Sequence, residues 1–531
     1  MPKTTISCSD TGYFSKLMCD YLAEKDTLAS FYGNFPMLEN FQKQITEKKN
    51  SFSAQSRAVL VQALHKQYAT TDASEATLAN IESLSNSNTF TVTTGHQLNL
   101  FTGPLYFLYK IFSVINLSEE LKEKHPESHF VPVYWMATED HDFDEINYFN
   151  LFGKKIAWNR ESGGAVGELS TEGLSEVLKQ FEAALGASNN AKKMTALFSE
   201  AYTKHTNLTE ATRYLGNQLF SEYGLVIVDG NDALLKKAFV PFAKKELLEQ
   251  LSHRIITETT TRLTALGYPE QVHPREINLF YLAEGIRERI IKKDGMYYVN
   301  DTDLSFTEAE ILSKLDANPE CFSPNALLRP LYQEVILPNL CYTGGGGELA
   351  YWFQLKDYFE AVEVPFPILL LRNSVLLLPT LLSEKLEKLE VSIDDLFLKQ
   401  PDLRTKYTRQ LSGIKIDFSE QKEFLKKQFE ALHELAKKTD ASFIGAVEAQ
   451  EKKQINGLSN LEKRLLKAQK RNLAAALDRL TAIQDELFPK QSLQERTVNF
   501  SEYYLEYGDV LLQELKKELR PLDPNFTILS L

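Results

Sequence analysis

Two segments between Thr89 and Glu145 constrain the fold of this chain more than any others: TFTVTTGHQLNLFTGPLYFLYK and HFVPVYWMATEDHDFDE. In each, a short apolar run rich in β-forming residues stops at a cluster of polar and ionisable groups. Between them, Pro104 introduces a helical pattern through Tyr106, Leu108, Ile111, Val114, Ile115 and Leu117. Strand, helix, strand predicts a parallel βαβ unit in an α/β domain. Ligands in such domains sit at the carboxyl ends of strands. The two strand ends therefore predict two walls of one active site.

Further along, Leu225–Val228 reads as a buried strand ending at Asp229-Gly230, and a second strand ends at the Gly344–Gly347 run. Pro365–Leu371 reads as the last core strand, and Asp294-Gly295 within KKDGMYYVND marks a hairpin turn. Residues 150–222 and 267–322 read as a helical and a mixed insertion into a core that spans 1–380.

From about residue 381 the character changes. Residues 419–439 and 444–488 are rich in Lys, Glu, Gln, Leu and Ala, and Leu466, Leu473, Leu480 and Leu487 recur every seven. That spacing predicts an α-helical coiled-coil domain over 381–488, as a projecting antiparallel hairpin or a dimer seam. The aromatic-rich segment 489–531 is expected to return to the core.

The net charge of −13 argues against nucleic-acid or anionic-membrane partners. The amino-terminal MPKTTISCSDTGYF is too polar for an export signal, and the apolar stretch 365–382 is broken by Arg372, Asn373 and prolines. A cytoplasmic location is expected. Cys8, Cys19, Cys321 and Cys341 form no CxxC pair, so neither a structural zinc site nor a disulfide framework is expected, and no metal ligand set is assigned.

Three segments carry candidate chemistry. The first is Thr93-Thr94-Gly95-His96-Gln97, with Asn99 close behind. A glycine after a strand lets the backbone turn, and N–H groups beside an imidazole can hold phosphate oxygens. Thr-x-Gly-His resembles the signature of Rossmann-type nucleotidylyl transferases and class I aminoacyl-tRNA synthetases, in which the final His stabilises charge on the α-phosphate. The second is Glu139-Asp140-His141-Asp142 with Asp144-Glu145, whose carboxylates around one imidazole suit acid–base work or an ammonium group. The third runs from Phe322 to Glu348. It offers Asn325, Arg329, Gln333 and Glu334, then a possible anion-binding nest at Gly344, Gly345 and Gly346 before Glu348. No Walker, dinucleotide or Gly-x-Ser-x-Gly motif is present.

Together TGHQLNLFTGPLYFLYK, VPVYWMATEDHDFDEI, FSPNALLRPLYQEVILPNLCYTGGGGE with AYWFQL, and LQER resemble the family of bacillithiol biosynthesis cysteine-adding enzymes. The resemblance implies a Rossmann-like parallel-sheet core with connecting insertions, plus a coiled-coil domain that builds a homodimer. It implies a ligase that joins L-cysteine to glucosaminyl-malate, with ATP and Mg²⁺ as co-substrate and no tightly bound cofactor. On that reading Gly95, His96 and Gln97 hold phosphate, with Thr93 and the 344–346 glycines assisting. Asp140 or Asp142 binds an amine and His141 acts as general base. Arg329 takes a malate carboxylate, while Asn99, Glu139, Asp229, Asn325, Gln333, Glu334 and Glu348 complete the substrate site. Arg496, Tyr503 and Tyr504 mark a possible second nucleotide site. Two alternatives stand beside this reading: a metal-dependent hydrolase using the Glu139–Asp144 cluster, and a non-catalytic coiled-coil scaffold with a vestigial nucleotide pocket.

Overall fold

The computed structural model describes residues 3–531. Its centre is a five-stranded sheet: β1 Thr89–His96, β2 His129–Met136, β3 Val226–Asp229, β4 Asn339–Gly344 and β5 Ile368–Leu371. The spatial order is β5-β4-β1-β2-β3 and every pair is parallel. All eight residues of β1 are buried, as befits a strand covered on both faces. Its apolar Phe90 and Val92 alternate with threonines that bond across the sheet, Thr93 to Asn339 at 2.8 Å and Thr94 to the Thr343 carbonyl at 2.7 Å. The helix α1, Tyr106–Lys124, links β1 to β2 and buries most of its length.

The strand order positions the site. The chain steps outward from β1 through β2 to β3, then crosses to place β4 on the other side of β1. Connections from the ends of β1 and β4 therefore diverge, leaving a crevice beyond their carboxyl ends.

Three helices, Leu174–Leu185, Asn189–Lys204 and Leu208–Phe220, occupy the insertion between β2 and β3. Between β3 and β4 lies a separate five-stranded antiparallel arrangement that includes Leu279–Ala283, Ile286–Lys293 and Met296–Val299. Asp294 and Gly295 join the last two with φ of 51° and 80°, the left-handed pair that a tight hairpin turn requires. The helix α2, Arg329–Ile336, precedes β4, and α3, Gly346–Trp352, follows it.

By packing the chain divides into two units. The larger comprises mainly Tyr13–Leu376 and Leu493–Leu529, and the smaller mainly Leu377–Ser492. Within the larger unit the C-terminal segment is stitched to the turn after β1. The Asn499 amide donates to the Phe101 and Gly103 carbonyls at 2.8 and 2.6 Å, and the buried Arg372–Glu495 pair closes at 2.7 Å.

The smaller unit contains a helical hairpin, α4 Ser419–Ala436 and α5 Ala441–Asn472, followed by α6 Ala474–Leu487. Asp440 caps α5 by accepting from the Ser442 and Phe443 amides, so this helix starts three residues before the predicted Ile444. Lys422–Glu462 at 2.8 Å and His433–Glu451 at 2.7 Å share one antiparallel register around Phe429, Ala436 and Val447. The heptad leucines do not form one seam. The helix breaks at Leu473, beyond which Leu477, Leu480 and Leu487 are buried while Leu466 and Leu473 stay half-exposed.

Candidate active site at the sheet switch point

A cleft of about 990 Å³ opens beyond the carboxyl ends of the parallel strands. Of the residues singled out from sequence, Gly95, His96, Gln97, Glu139, Asp140, His141, Asn325, Arg329 and Glu348 line it. Three segments distant in sequence thus converge on one space, because each follows or flanks a strand ending at the same edge.

Lys110 ties two of them together. It lies on α1 with a side chain only 2% exposed. Its ammonium donates to the Gly95 carbonyl at 2.7 Å and pairs with Glu348, which also accepts from the Tyr342 hydroxyl at 3.2 Å. Burial lowers the Lys110 ammonium, and the Glu348 carboxylate opposes that shift. A lysine inside the apolar run YFLYKIFSVI was a legible signal, since a charge on a buried helical face needs a partner.

His96 differs from its expected role. Its Nε2 lies 3.2 Å from the Thr102 carbonyl, which can only accept, so Nε2 carries the proton and Nδ1 the lone pair. Burial first, then the Lys110 charge, pushes the imidazole well below its usual range. It is a neutral ring packed against Tyr106 and Phe107, unsuited to neutralising phosphate. Nor does the strand run straight into a helix. A turn at Leu100–Gly103 intervenes, with Phe101 and Thr102 both at positive φ. The cations at this end of the cleft are Lys110 and Arg329.

Arg329 sits beside Gly95. Its guanidinium donates to the Tyr351 hydroxyl at 3.0 Å and to Gln333 at 3.3 Å, and among the described residues no carboxylate lies within ion-pair distance. Burial would lower it, but the Tyr351 and Tyr342 hydroxyls and Glu348 outweigh that and keep it cationic. Asn325 orients this segment. Its amide donates to Asn278 at 2.8 Å and its carbonyl accepts from the Leu327 amide at 2.9 Å.

The loop after β2 forms the opposite wall. Gln97 donates to Asp140 at 3.0 Å and to Glu145 at 2.8 Å, and the His141 amide donates to Asp140 at 2.8 Å. Burial raises the Asp140 carboxyl, but His141, Gln97 and the Arg287 charge together hold it well below the usual carboxylate range. Asp140 is a fixed anion. Glu139 is neutralised by Lys236 at 2.6 Å. Arg287, from the antiparallel insertion, donates to His141 Nδ1 at 2.6 Å. That contact occupies the lone pair a general base would use, so His141 in this arrangement is not the base expected from sequence.

Other expected residues lie outside the cleft lining. Asp142 is exposed at the start of the short helix Phe143–Ile146. Asp229 accepts from Thr138 at 2.5 Å and braces the loop from behind. Thr93 bonds within the sheet, and Asn99 donates to the Glu145 carbonyl at 3.1 Å while packing under Gly103. Gln333 and Glu334 are buried, the latter paired with Lys48 at 3.1 Å. Gly344–Gly346 do not form a nest. A nest alternates left- and right-handed residues, whereas none of these has positive φ and the segment passes from strand directly into α3. Arg496, Tyr503 and Tyr504 do not converge. Tyr503 accepts from Gln494 at 2.6 Å, Tyr504 donates to Asp509, and Arg496 is exposed.

The carboxylates near His141 are already engaged: Glu139 pairs with Lys236, while Asp140 and Glu145 share the Gln97 amide. Among the described residues no group of three or more His, Cys, Asp or Glu is placed to hold a metal ion. That donor set does not suit a metal-dependent hydrolase. No helix of the described residues is long and apolar enough to cross a membrane.

Comparison with known proteins gives two family matches that tile the chain. Residues 1–373 match the N-terminal Rossmann-like domain of bacillithiol biosynthesis BshC, and residues 375–531 match its C-terminal coiled-coil domain. A protein of Christiangramia forsetii named "Putative cysteine ligase BshC" is 57% identical, over 100% of this chain and 99% of its own. Proteins of the same name from Flavobacterium johnsoniae and Cytophaga hutchinsonii are 56% and 38% identical, covering 100% and 97% of this chain and 100% and 96% of their own.

Proposed function

This chain belongs to the BshC family of bacillithiol biosynthesis proteins, and from that premise we propose that it is a ligase joining the carboxylate of L-cysteine to the amine of glucosaminyl-malate. The observation that carries the reading is the pairing of opposites in one cleft. Arg329 is a half-buried cation with no carboxylate partner among the described residues, and Asp140 is a carboxylate held ionised. An amino acid and an amino-sugar dicarboxylate each present both complementary charges.

Amide formation at neutral pH requires an activated carboxylate. In the proposed sequence a cysteine carboxylate oxygen attacks the ATP α-phosphorus, and the bond to the β-phosphate breaks to release pyrophosphate. The glucosaminyl nitrogen, as the free amine, then attacks the acyl carbon. The acyl–oxygen bond breaks, AMP departs and the nitrogen loses its proton to water. Binding both reactants in one cleft supplies much of the rate. Asp140 binds an ammonium group, and Arg329 takes a carboxylate or phosphate oxygen through paired N–H donors. Lys110 fixes Gly95 against Glu348, so the turn that meets the nucleotide is rigid. Mg²⁺ would arrive with the nucleotide phosphates and offset their charge.

The smaller unit supports a homodimer. Phe424, Leu435 and Leu461 on the helical hairpin are 66%, 53% and 52% exposed, more apolar surface than a solvated hairpin needs.

Incubating the protein with glucosaminyl-malate, L-cysteine and ATP and analysing by mass spectrometry tests the reaction. A product of bacillithiol mass that requires both cysteine and ATP, with AMP released, is expected. ADP in place of AMP would replace the adenylate with an acyl phosphate. No product under any combination would overturn the ligase. Asp140→Asn should reduce kcat/KM by about 10²-fold or more while the protein stays folded.

A further inference from the structure

The antiparallel insertion reaches the cleft through one side chain whose geometry goes beyond wall-building. Arg287 lies on Ile286–Lys293, opposite Leu282 of the neighbouring strand. Its Nη1 donates to His141 Nδ1 at 2.6 Å and stands 4.0 Å from the Asp140 carboxylate. The guanidinium lies 4.0 Å over the Phe280 ring, against which the His141 ring also packs at 5.6 Å. The residue is 9% exposed, so it is packed in place rather than swinging in solvent.

An arginine has no acceptor and does not lose its proton in this setting. Imidazole Nδ1 facing that N–H at 2.6 Å must present its lone pair, since the Asp140 carboxylate, 3.6 Å from Nδ1, is beyond hydrogen-bonding distance, so the ring proton resides on Nε2. His141 is half-exposed and lines the cleft. Its Nε2–H is the polar group left for a ligand.

The hairpin that carries Arg287 is seated, through glycines, on a segment that is itself bonded to the Asp140–His141 loop. A β-carbon added to Gly163 would come 2.9 Å from the Gly285 carbonyl oxygen, and one added to Gly164, at φ +73°, would come 3.1 Å from the Gly285 backbone. The hairpin tip therefore rests backbone against backbone on residues 163–164. The same segment is bonded to the loop after β2. The Val166 amide donates to the Asp140 carbonyl at 2.7 Å and the Gly167 amide to the Thr138 carbonyl at 2.8 Å. Movement of the hairpin and movement of the Asp140–His141 loop are thus coupled through one short segment.

We propose that Arg287 is a positioning residue that locks His141 in its Nε2–H form, making His141 a hydrogen-bond donor to an anionic oxygen of the bound substrate. The antiparallel insertion then completes the active site. The identity of the anion, carboxylate or phosphate, rests on the ligase reading; the tautomer does not.

The test is ¹⁵N NMR of the full-length protein labelled at histidine, with His141 assigned by its loss in His141→Gln. The expected wild-type pattern is a protonated Nε2 and an unprotonated Nδ1 with no tautomer averaging. Arg287→Ala should give averaged tautomer shifts, Arg287→Lys should restore the locked pattern in part, and Gly164→Ala should loosen it without altering any cleft side chain. A wild-type His141 that averages between tautomers, or carries its proton on Nδ1, would overturn the proposal, and this readout is taken on the wild-type protein, the His141→Gln variant serving only for assignment. Titration with malate and, separately, with AMP should shift the His141 Nε2–H signal. The ligand that moves it identifies carboxylate or phosphate as the anion, and failure of both would overturn the donor role. In the ligation assay Arg287→Ala should lower kcat by about 10²-fold, with Arg287→Lys between it and wild type. A locked tautomer in a protein that makes no amide would leave the positioning role standing while the ligase reading falls.

Discussion

A β-carbon on Gly344 would meet the Tyr342 ring at 3.0 Å, the Glu348 carboxylate at 3.1 Å and Leu349 at 3.2 Å, whereas one on Gly347 would meet nothing within 4 Å. The four-glycine run is therefore not uniform in its demands. Gly344→Ala should cost about 1–3 kcal/mol by overpacking and disturb the Lys110–Glu348 contact. Gly347→Ala, in the first turn of α3, should be neutral or stabilising by up to about 1 kcal/mol. Urea denaturation of the two variants checks both. Glu502 offers a second single-residue test. Burial raises its carboxyl to about 7 from an ordinary 4.5, although the Phe152 amide hydrogen-bonds to it. The fold thus favours the protonated form. The stability this adds is complete below pH 4.5 and lost as pH rises through 7. Glu502→Gln should accordingly melt near wild type at pH 5 and above it at pH 8, and equal melting temperatures at both pH values would count against the shift.

Between elements, a fully buried tie joins Lys48 of Phe41–Ser51 to Glu334 of α2, exposed by 1% and 0% at their side chains. Asn339 and Gln333 also donate to Glu334, at 2.6 and 3.1 Å, which is what makes the buried charge tolerable. Removing one partner leaves an uncompensated carboxylate. Lys48→Met should cost about 3–5 kcal/mol, and the double variant Lys48→Met with Glu334→Met should lose less than that single change. Equilibrium unfolding of the single and double variants measures the difference. The same logic explains why Gln333 and Glu334, attractive in sequence as substrate ligands, serve α2 and β4 instead.

At the scale of the molecule, the hairpin α4–α5 carries charge pairs along its internal register and leaves large apolar side chains on its surface. In the antiparallel register Phe424 and Leu461 fall side by side. Phe424→Glu with Leu461→Glu should convert a dimer to a monomer in sedimentation velocity without loss of helical circular dichroism. A wild-type protein that sediments as a monomer would remove the coiled-coil homodimer from the functional proposal.

Much of the parallel core was legible because strand-forming runs that stop at polar clusters report both a strand and its carboxyl end, so Gly95 and Asp140 could be assigned to one edge before any geometry was known. Asp294-Gly295 was likewise legible, since two successive left-handed residues admit few sequences. What sequence left open was direction. Residue type does not reveal which face of a strand a threonine takes, so Thr93 and Thr94 turned into the sheet. Nor does it reveal which neighbour a carboxylate meets, so Glu139 went to Lys236 and Glu334 to Lys48. The heptad leucines carried a period that a break at Leu473 divides. Arg287 could not be found from its own segment, because its partner lies 146 residues away and only the seating of the hairpin on Gly163 and Gly164 brings them together. Local sequence determined the elements and the strand ends, because backbone propensity and burial are local. The tertiary structure decided the charge pairs and the state of each imidazole, because those depend on which side chains from distant segments share the same few ångströms.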